Sequence, residues 1–295
     1  MKVCFYTEGH LGDFIIGIPF FKLLIEKYPN NEYYQYIYGS DGTVYPDIFI
    51  RTVPNLIPTE NIDGDIVIPT WFCNPIYVPL HLNTEEVLKT LYPYDMVSNQ
   101  KYFWKHVYAK YGFDIEIPDD IGLDFDFGTI LDKESILLIE NLKTNVRKKI
   151  LFVNIKGRSG QTDNEDWLPR INQLASVHTE YDFYYTNTES HEIVNQNVIH
   201  TPTIFGKHKS DIIHNSYLST FCDIIVAKNS GAFQAISMQN KNVMDDKKIL
   251  LCQTENNVHV PDLECFYNRN LYRASNIHTR TTSETFSRLS QILNS

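Results

Sequence analysis

Short continuous apolar runs punctuate the second half of the chain. They read "KILFVNI" (149–155), "YDFYYT" (181–186), "NVIHT" (197–201), "DIIVAK" (223–228) and "KILLCQT" (248–254). Runs of this length, bounded by turn residues and separated by helix-period stretches, describe strands buried on both faces. They predict βαβ units and a parallel sheet. The intervening helices are expected over 168–177, near His191, and over 210–220 and 231–239. The tail "SETFSRLSQIL" reads as a last amphipathic helix, with Ser283 and Thr285 as candidate N-caps.

The first half is less regular. Strand "KVCFYT" (2–7) leads into an apolar helix over 13–27, then strand "YYQYIYG" (33–39) and a Pro-rich irregular region. A short buried strand "DIVIP" (65–69) follows, with helical segments near 84–91 and 100–111. Aromatic residues crowd this half in "YPDIF", "TWFCNPIY" and "YFWKHVYAKYGF". Packing into a core accounts for them, and an aromatic-lined cleft for an acceptor sugar is the alternative. The join falls within 124–149, where "DFDFG" is acidic and turn-like and "ESILLIENLKT" is helical. The expected organisation is α/β, two Rossmann-like domains facing each other across a cleft. The first covers 1–135 and the second 136–282, and the helix at 283–295 is a candidate to pack back on the first.

Composition narrows the partners. A formal charge of −10 and a pI near 5.4 argue against nucleic acid or an anionic membrane as the main one. Cys4, Cys73, Cys222, Cys252 and Cys265 form no C-x-x-C pair, which disfavours zinc knuckles and disulfides and favours a reducing compartment. Met1 and Lys2 lead straight into the first strand, so no signal peptide is expected, and the apolar stretch 14–25 is too short to span a bilayer. A cytoplasmic protein without a transmembrane segment is expected.

The turn "YTEGHLGDF" (6–14) joins the first strand to the first helix. Its glycines at 9, 12 and 17 match neither the G-x-G-x-x-G dinucleotide signature nor a P-loop. Asp13 falls at the N-cap or first turn of the helix, where capping alone would favour it. It also stands at the carboxyl end of a strand, where a carboxylate can take the proton of an acceptor hydroxyl. Glu8 and His10 share the loop and could substitute as base or orient the acceptor, and Gly12 lets the backbone come close.

Two later stretches suit an anion. In "NIKGRSGQT" (154–162), Lys156 and Arg158 supply charge, while Gly157, Ser159 and Gly160 expose backbone N–H groups. In "AKNSGAF" (227–233) a strand ends and a helix opens at Asn229, Ser230 and Gly231, giving free N–H groups at a positive helix end. A basic surface turn and an ordinary N-cap are the corresponding plain explanations.

Three of these segments, in order, carry a resemblance. "GHLGDFIIGIPFFKLL", "NIKGRSGQTDNEDWLPRINQLAS" and "IFGKHKSDIIHNSYLSTFCDIIVAKNSGAFQAIS" resemble the heptosyltransferase-like family, glycosyltransferase family 9. The resemblance covers the opening 25 residues and most of the second domain. Asn229 stands where that family usually has Asp, and Gln234 where it usually has His, so the donor is left unspecified. The resemblance implies a GT-B fold and inverting, metal-independent transfer with no cofactor beyond the nucleotide-sugar donor. Asp13 would then be the catalytic base. Lys156, Arg158 and Ser159 would line the diphosphate site together with Asn229, Ser230, Gly231 and Ala232, and Glu189 or Glu192 would hold a ribose hydroxyl. Trp167 is expected to pack rather than to contact a ligand. Asp124 and Asp126 form a D-x-D pattern, but it lies near the domain join and no metal is expected.

The expected activity is transfer of a sugar from a nucleotide sugar to a hydroxyl of a carbohydrate or glycoconjugate. The alternatives are a sugar-nucleotide epimerase or hydrolase on the same scaffold, and a non-catalytic nucleotide-sugar-binding protein.

Overall fold

The computed structural model describes residues 1–7, 11–39, 44–45, 47–70, 96–118, 121, 127–154, 165–186, 193–205, 212–228, 230–237, 247–252 and 275–295. Contacts divide the chain into two units, Met1–Leu123 with His259–Leu271 and Asp124–Val258 with Tyr272–Ser295.

The first unit contains β1 (Lys2–Tyr6), α1 (Leu11–Lys27), β2 (Glu32–Tyr36), α2 (Asp47–Arg51), β3 (Leu56–Thr59), β4 (Ile66–Pro69) and α3 (Met96–Lys110). Its strands are all parallel in the order β3-β2-β1-β4. The chain therefore steps outward from β1 through β2 to β3, then returns to the other side of β1. The apolar run of α1 is buried on most of its circumference, with Phe14, Ile15, Ile18, Phe21 and Leu24 at 0–1% exposure. It continues through Pro19, which lacks the N–H that would bond back to Ile15. Phe5 and Phe21 pack at 4.6 Å between ring centroids, and Trp104 of α3 lies flat against Phe20 at 5.5 Å. Core packing is thus what "YFWKHVYAKYGF" does: Phe103, Trp104 and Tyr108 are buried. Gly112 ends α3 in the left-handed region at φ 74°, while the Phe113 N–H donates to the Tyr108 carbonyl at 2.8 Å.

The second unit contains a single 3-10 turn (Phe127–Thr129), then α4 (Lys133–Lys143), β5 (Lys148–Val153), α5 (Leu168–Val177), β6 (Tyr181–Thr186), β7 (Val198–His200) and α6 (Thr201–Phe205). It continues with α7 (Ile212–Ser219), β8 (Ile224–Lys228), α8 (Gly231–Ser237), β9 (Lys248–Cys252), β10 (Ser275–Thr279) and α9 (Thr282–Leu293). Six parallel strands form one sheet in the order β10-β9-β8-β5-β6-β7. Here the order reverses between β5 and β8. One face of the sheet joins α5 and α9 in a single core that includes Ile150, Phe152, Trp167, Ile171, Phe183 and Phe286.

Several expectations change. The second unit is grouped from Asp124, at the near edge of the join expected over 124–149, so α4 lies wholly within it. The C-terminal helix packs within the second unit, where Phe286 and Leu289 join the core beside Trp167 and Phe152. Its N-cap is Thr281, whose side chain accepts from the Glu284 N–H at 3.1 Å, in place of Ser283 or Thr285. α2, β3, α6 and β10 were not anticipated. The helical segments expected near 84–91 and His191, the "TWFCNPIY" aromatics, Cys73, Cys265, and the Asp124–Asp126 pair lie outside the described residues. Cys4, Cys222 and Cys252 are buried in the core, and burial pushes the Cys222 thiol up to about 12.

Candidate functional site

In an open parallel sheet, ligands bind beyond the carboxyl ends of the strands, at the point where strand order reverses. Each sheet has one such point. In the first it lies between β1 and β4, and in the second between β5 and β8. Residues 8–10 follow the end of β1 in the chain. The basic stretch 155–164 leaves β5, and Asn229–Ser230 leaves β8. All three segments singled out in the sequence therefore issue from strands that border a reversal.

At the first reversal, α1 begins at Leu11, two residues earlier than expected, which makes Asp13 the third residue of its first turn. Gly12 is half-buried beside it. The Asp13 side chain and residues Glu8 and His10 lie outside the described residues. At the carboxyl ends of β1 and β4 is a buried polar network that the sequence did not announce. The Thr7 and Thr70 hydroxyls, from the ends of β1 and β4, lie 2.6 Å apart. The Gln35 amide donates to the Thr7 hydroxyl at 3.4 Å and to the Tyr36 carbonyl at 2.9 Å. The Tyr45 hydroxyl donates to the Thr7 carbonyl at 3.3 Å. Gln35 Oε1 is buried and has no hydrogen-bond partner among the described residues.

At the second reversal the groups are charged. Asn154, directly after β5, donates through Nδ2 to Asp166 Oδ1 at 3.3 Å and to the Tyr185 hydroxyl at 3.2 Å. The Tyr185 hydroxyl donates to the same Asp166 oxygen at 2.6 Å, and the Leu168 N–H reaches it at 3.1 Å. Asp166 thus accepts the first N–H of α5 and ties Asn154, at the end of β5, to Tyr185 of β6. Both ends of the basic stretch, Asn154 and Asp166, are held together by one carboxylate. Lys228, the last residue of β8, is 1% exposed. Its ammonium donates to the Glu165 carbonyl at 2.6 Å and lies 5.1 Å from the centre of the Trp167 ring. Trp167 is buried, and its indole N–H donates to the Thr282 hydroxyl at 2.9 Å, so it packs as expected.

The Ser230 hydroxyl accepts the Phe233 N–H at 3.3 Å and caps α8. The N–H groups of Gly231 and Ala232 belong to the first turn, which has no preceding helical carbonyl to bond. Lys156, Arg158, Ser159, Glu189 and Asn229 lie outside the described residues. Two further buried hydroxyls, Thr186 at the end of β6 and Thr201 just past β7, have no hydrogen-bond partner among the described residues. Lys228 and Asp166 are the charged residues that sequence reasoning passed over. The available signal was a lysine closing an otherwise apolar strand, and an aspartate two residues before a helix-starting Leu-Pro pair. Among the described residues no group of three or more His, Cys, Asp or Glu side chains is placed to hold a metal ion, and no helix is long and apolar enough to cross a membrane.

No family model and no curated protein matches the chain. Solved structures that do match include a glycosyl transferase family 9 protein from Veillonella parvula DSM 2008. It is 12% identical over 99% of this chain and 89% of its own, with a TM-score of 0.49. The E. coli heptosyltransferase WaaC with ADP is 11% identical over 100% and 99%, also at 0.49. An epimerase-like structure, a putative UDP-N-acetylglucosamine 2-epimerase from Listeria monocytogenes, is 11% identical over 99% and 87%, at 0.41. Two of the three belong to the group that the sequence segments resemble. All lie below a TM-score of 0.5, so the fold assignment rests on the chain's own sheets: two parallel α/β units, each with a single strand-order reversal.

Proposed function

We propose that the chain is a GT-B glycosyltransferase that moves a sugar from a nucleotide-sugar donor to a hydroxyl of a carbohydrate or glycoconjugate. The observation that carries this proposal is the coincidence of motif and topology. The Gly12–Asp13 turn, the basic stretch at 155–164 and the Asn229–Ser230–Gly231 corner each follow a strand that borders a reversal. Chance would scatter three such segments over the ten strand ends among the described residues.

In this scheme Asp13 takes the proton of the acceptor hydroxyl as its oxygen attacks the sugar C1 on the face opposite the nucleotide. The C1–oxygen bond to the diphosphate breaks, and the nucleoside diphosphate leaves with the bonding pair. Lys156 and Arg158, with the Gly231 and Ala232 N–H groups, would offset the charge that develops on it. Glu189 would bond a ribose hydroxyl. Glu8 and His10 would orient the acceptor. Transfer would be inverting, with no metal or other cofactor required.

The test is a thermal-shift screen against nucleotides and nucleotide sugars, followed by product analysis with the donor that raises the melting temperature. Acceptor-dependent release of nucleoside diphosphate is the expected outcome. Donor consumed in water alone would identify a hydrolase or epimerase instead. Binding without turnover would leave a nucleotide-sugar-binding protein.

A further inference from the structure

Tyr45 touches both ends of the turn that carries Glu8, His10 and Asp13. Its own backbone is fixed elsewhere. The Tyr45 N–H donates to the Ile37 carbonyl at 2.7 Å, and the preceding Val44 bridges Tyr38 in antiparallel fashion. The side chain then runs to the carboxyl end of the first sheet. There its hydroxyl donates at 3.3 Å to the carbonyl of Thr7, the residue before the turn. Its ring stacks on Phe14, the residue after Asp13, with centroids 5.0 Å apart and planes 10° from parallel. Phe14 packs in turn against Phe21, 5.8 Å away. Thr7 and Phe14 are 0% exposed and Tyr45 is 1% exposed.

We propose that Tyr45 is a positioning residue for this turn. It holds the residue before the turn by a hydrogen bond and the residue after it by ring stacking, so that the segment following β2 sets where the first turn of α1 lies. The proposal rests on the preceding one, in which the turn supplies the base. It adds a group that never meets substrate and acts through Thr7 and Phe14. The Thr7–Thr70 hydroxyl contact supports the same point from β4, so that Thr7 is held from two sides.

Two substitutions separate the contacts. Tyr45→Phe keeps the stacked ring and removes the hydroxyl, while Tyr45→Leu removes both. Hydrogen–deuterium exchange of the peptide covering residues 7–14 reads the brace without any need for substrate. In Tyr45→Phe, exchange there is expected to quicken by about fivefold, with protection in the second unit unchanged. kcat is expected to fall about tenfold at unchanged donor KM, since a displaced base costs turnover and not donor binding. Tyr45→Leu should enlarge both effects; if it does not fold, Tyr45→Phe still decides. Wild-type exchange in Tyr45→Phe overturns the proposal, whatever the rate. Faster exchange in a protein that transfers no sugar from any donor upholds the brace and defeats the transferase proposal instead.

Discussion

At the reversal of the first sheet, Thr7, Thr70, Gln35 and Tyr45 meet through neutral hydrogen bonds. At the reversal of the second, Tyr185 and Asn154 bond the Asp166 carboxylate, and the Lys228 ammonium bonds the Glu165 carbonyl beside it. The two sheets share a topology and both bury polar groups at the same topological place. They differ in what they can do there. A neutral network can hold a turn in position but does little to stabilise a departing anion. A lysine buried at the strand end next to the Ser230 cap, and a carboxylate clamping both ends of a basic stretch, suit charge that appears during a reaction. Under the proposed transfer, the difference would put the phosphate side in the second unit and proton transfer in the first.

The largest expected effect breaks the first half of that comparison. Asp13→Asn keeps the size of the side chain and its fitness for a helix first turn while removing the base. Transfer should fall by about a hundredfold or more, with nucleotide binding unaltered in calorimetry. Undiminished transfer would show that Asp13 serves only the helix dipole, and Glu8 or His10 would have to be tested next.

Lys228→Met probes the other half. It keeps an unbranched apolar stem beside Trp167 and removes the ammonium. Nucleoside diphosphate affinity should weaken about tenfold, the size of one charge-assisted contact. Thr70→Val, its counterpart at the first reversal, should lower the melting temperature yet leave that affinity alone. Equal weakening by both would erase the division between the two reversals.

Much of the second unit was legible because its strands are continuous apolar runs with helices between them; β5, β6 and β8 fall where "KILFVNI", "YDFYYT" and "DIIVAK" stand. β10 was missed because "SNIHT" has a single apolar residue among polar ones, which a strand at the edge of a sheet can tolerate. β3 was missed because "LIPT" includes a proline, which edge strands tolerate and central ones do not. The three site segments were legible because glycines and charges after an apolar run signal a turn near a ligand. Their supports were not. Thr7 with Thr70, Tyr45 with Phe14, and Asn154 with Asp166 and Tyr185 are pairings across 12 to 63 residues, set by strand order. No local spacing encodes that order.

Tyr185→Phe sharpens the charged side of the comparison with a smaller effect. It removes the 2.6 Å bond to Asp166 and the 3.2 Å contact with Asn154, and leaves the carboxylate with the Leu168 N–H and the Asn154 amide. Stability should fall by about 1–2 kcal/mol in urea unfolding. Nucleotide affinity should also fall a few-fold, because the two ends of the basic stretch are held less firmly. A stability loss with unchanged affinity would confine this triad to structure and leave the phosphate side to Lys228 and the basic stretch.

The smallest effect comes from a charged hydrogen bond at a helix start rather than at a strand end. Asp132 caps α4: its side chain accepts the Ser135 N–H at 2.7 Å and the Ser135 hydroxyl at 3.0 Å. The backbone N–H bond, then the hydroxyl bond, hold its carboxyl below the usual range, with a lesser contribution from His214. A carboxylate with a depressed pKa in the folded chain stabilises fully above its unfolded value near ~4, and the contribution is lost as pH falls through the folded value. Asp132→Ala should therefore cost about 1 kcal/mol at neutral pH and progressively less in acid. Asp132→Asn, which can still accept the Ser135 N–H, should stay near wild type at neutral pH and lose the acid dependence. Neither should move nucleotide affinity. If Asp132→Ala weakened the nucleotide as much as Lys228→Met, charge anywhere in the second unit would matter equally, and the strand-order reversal would lose its claim to the phosphate.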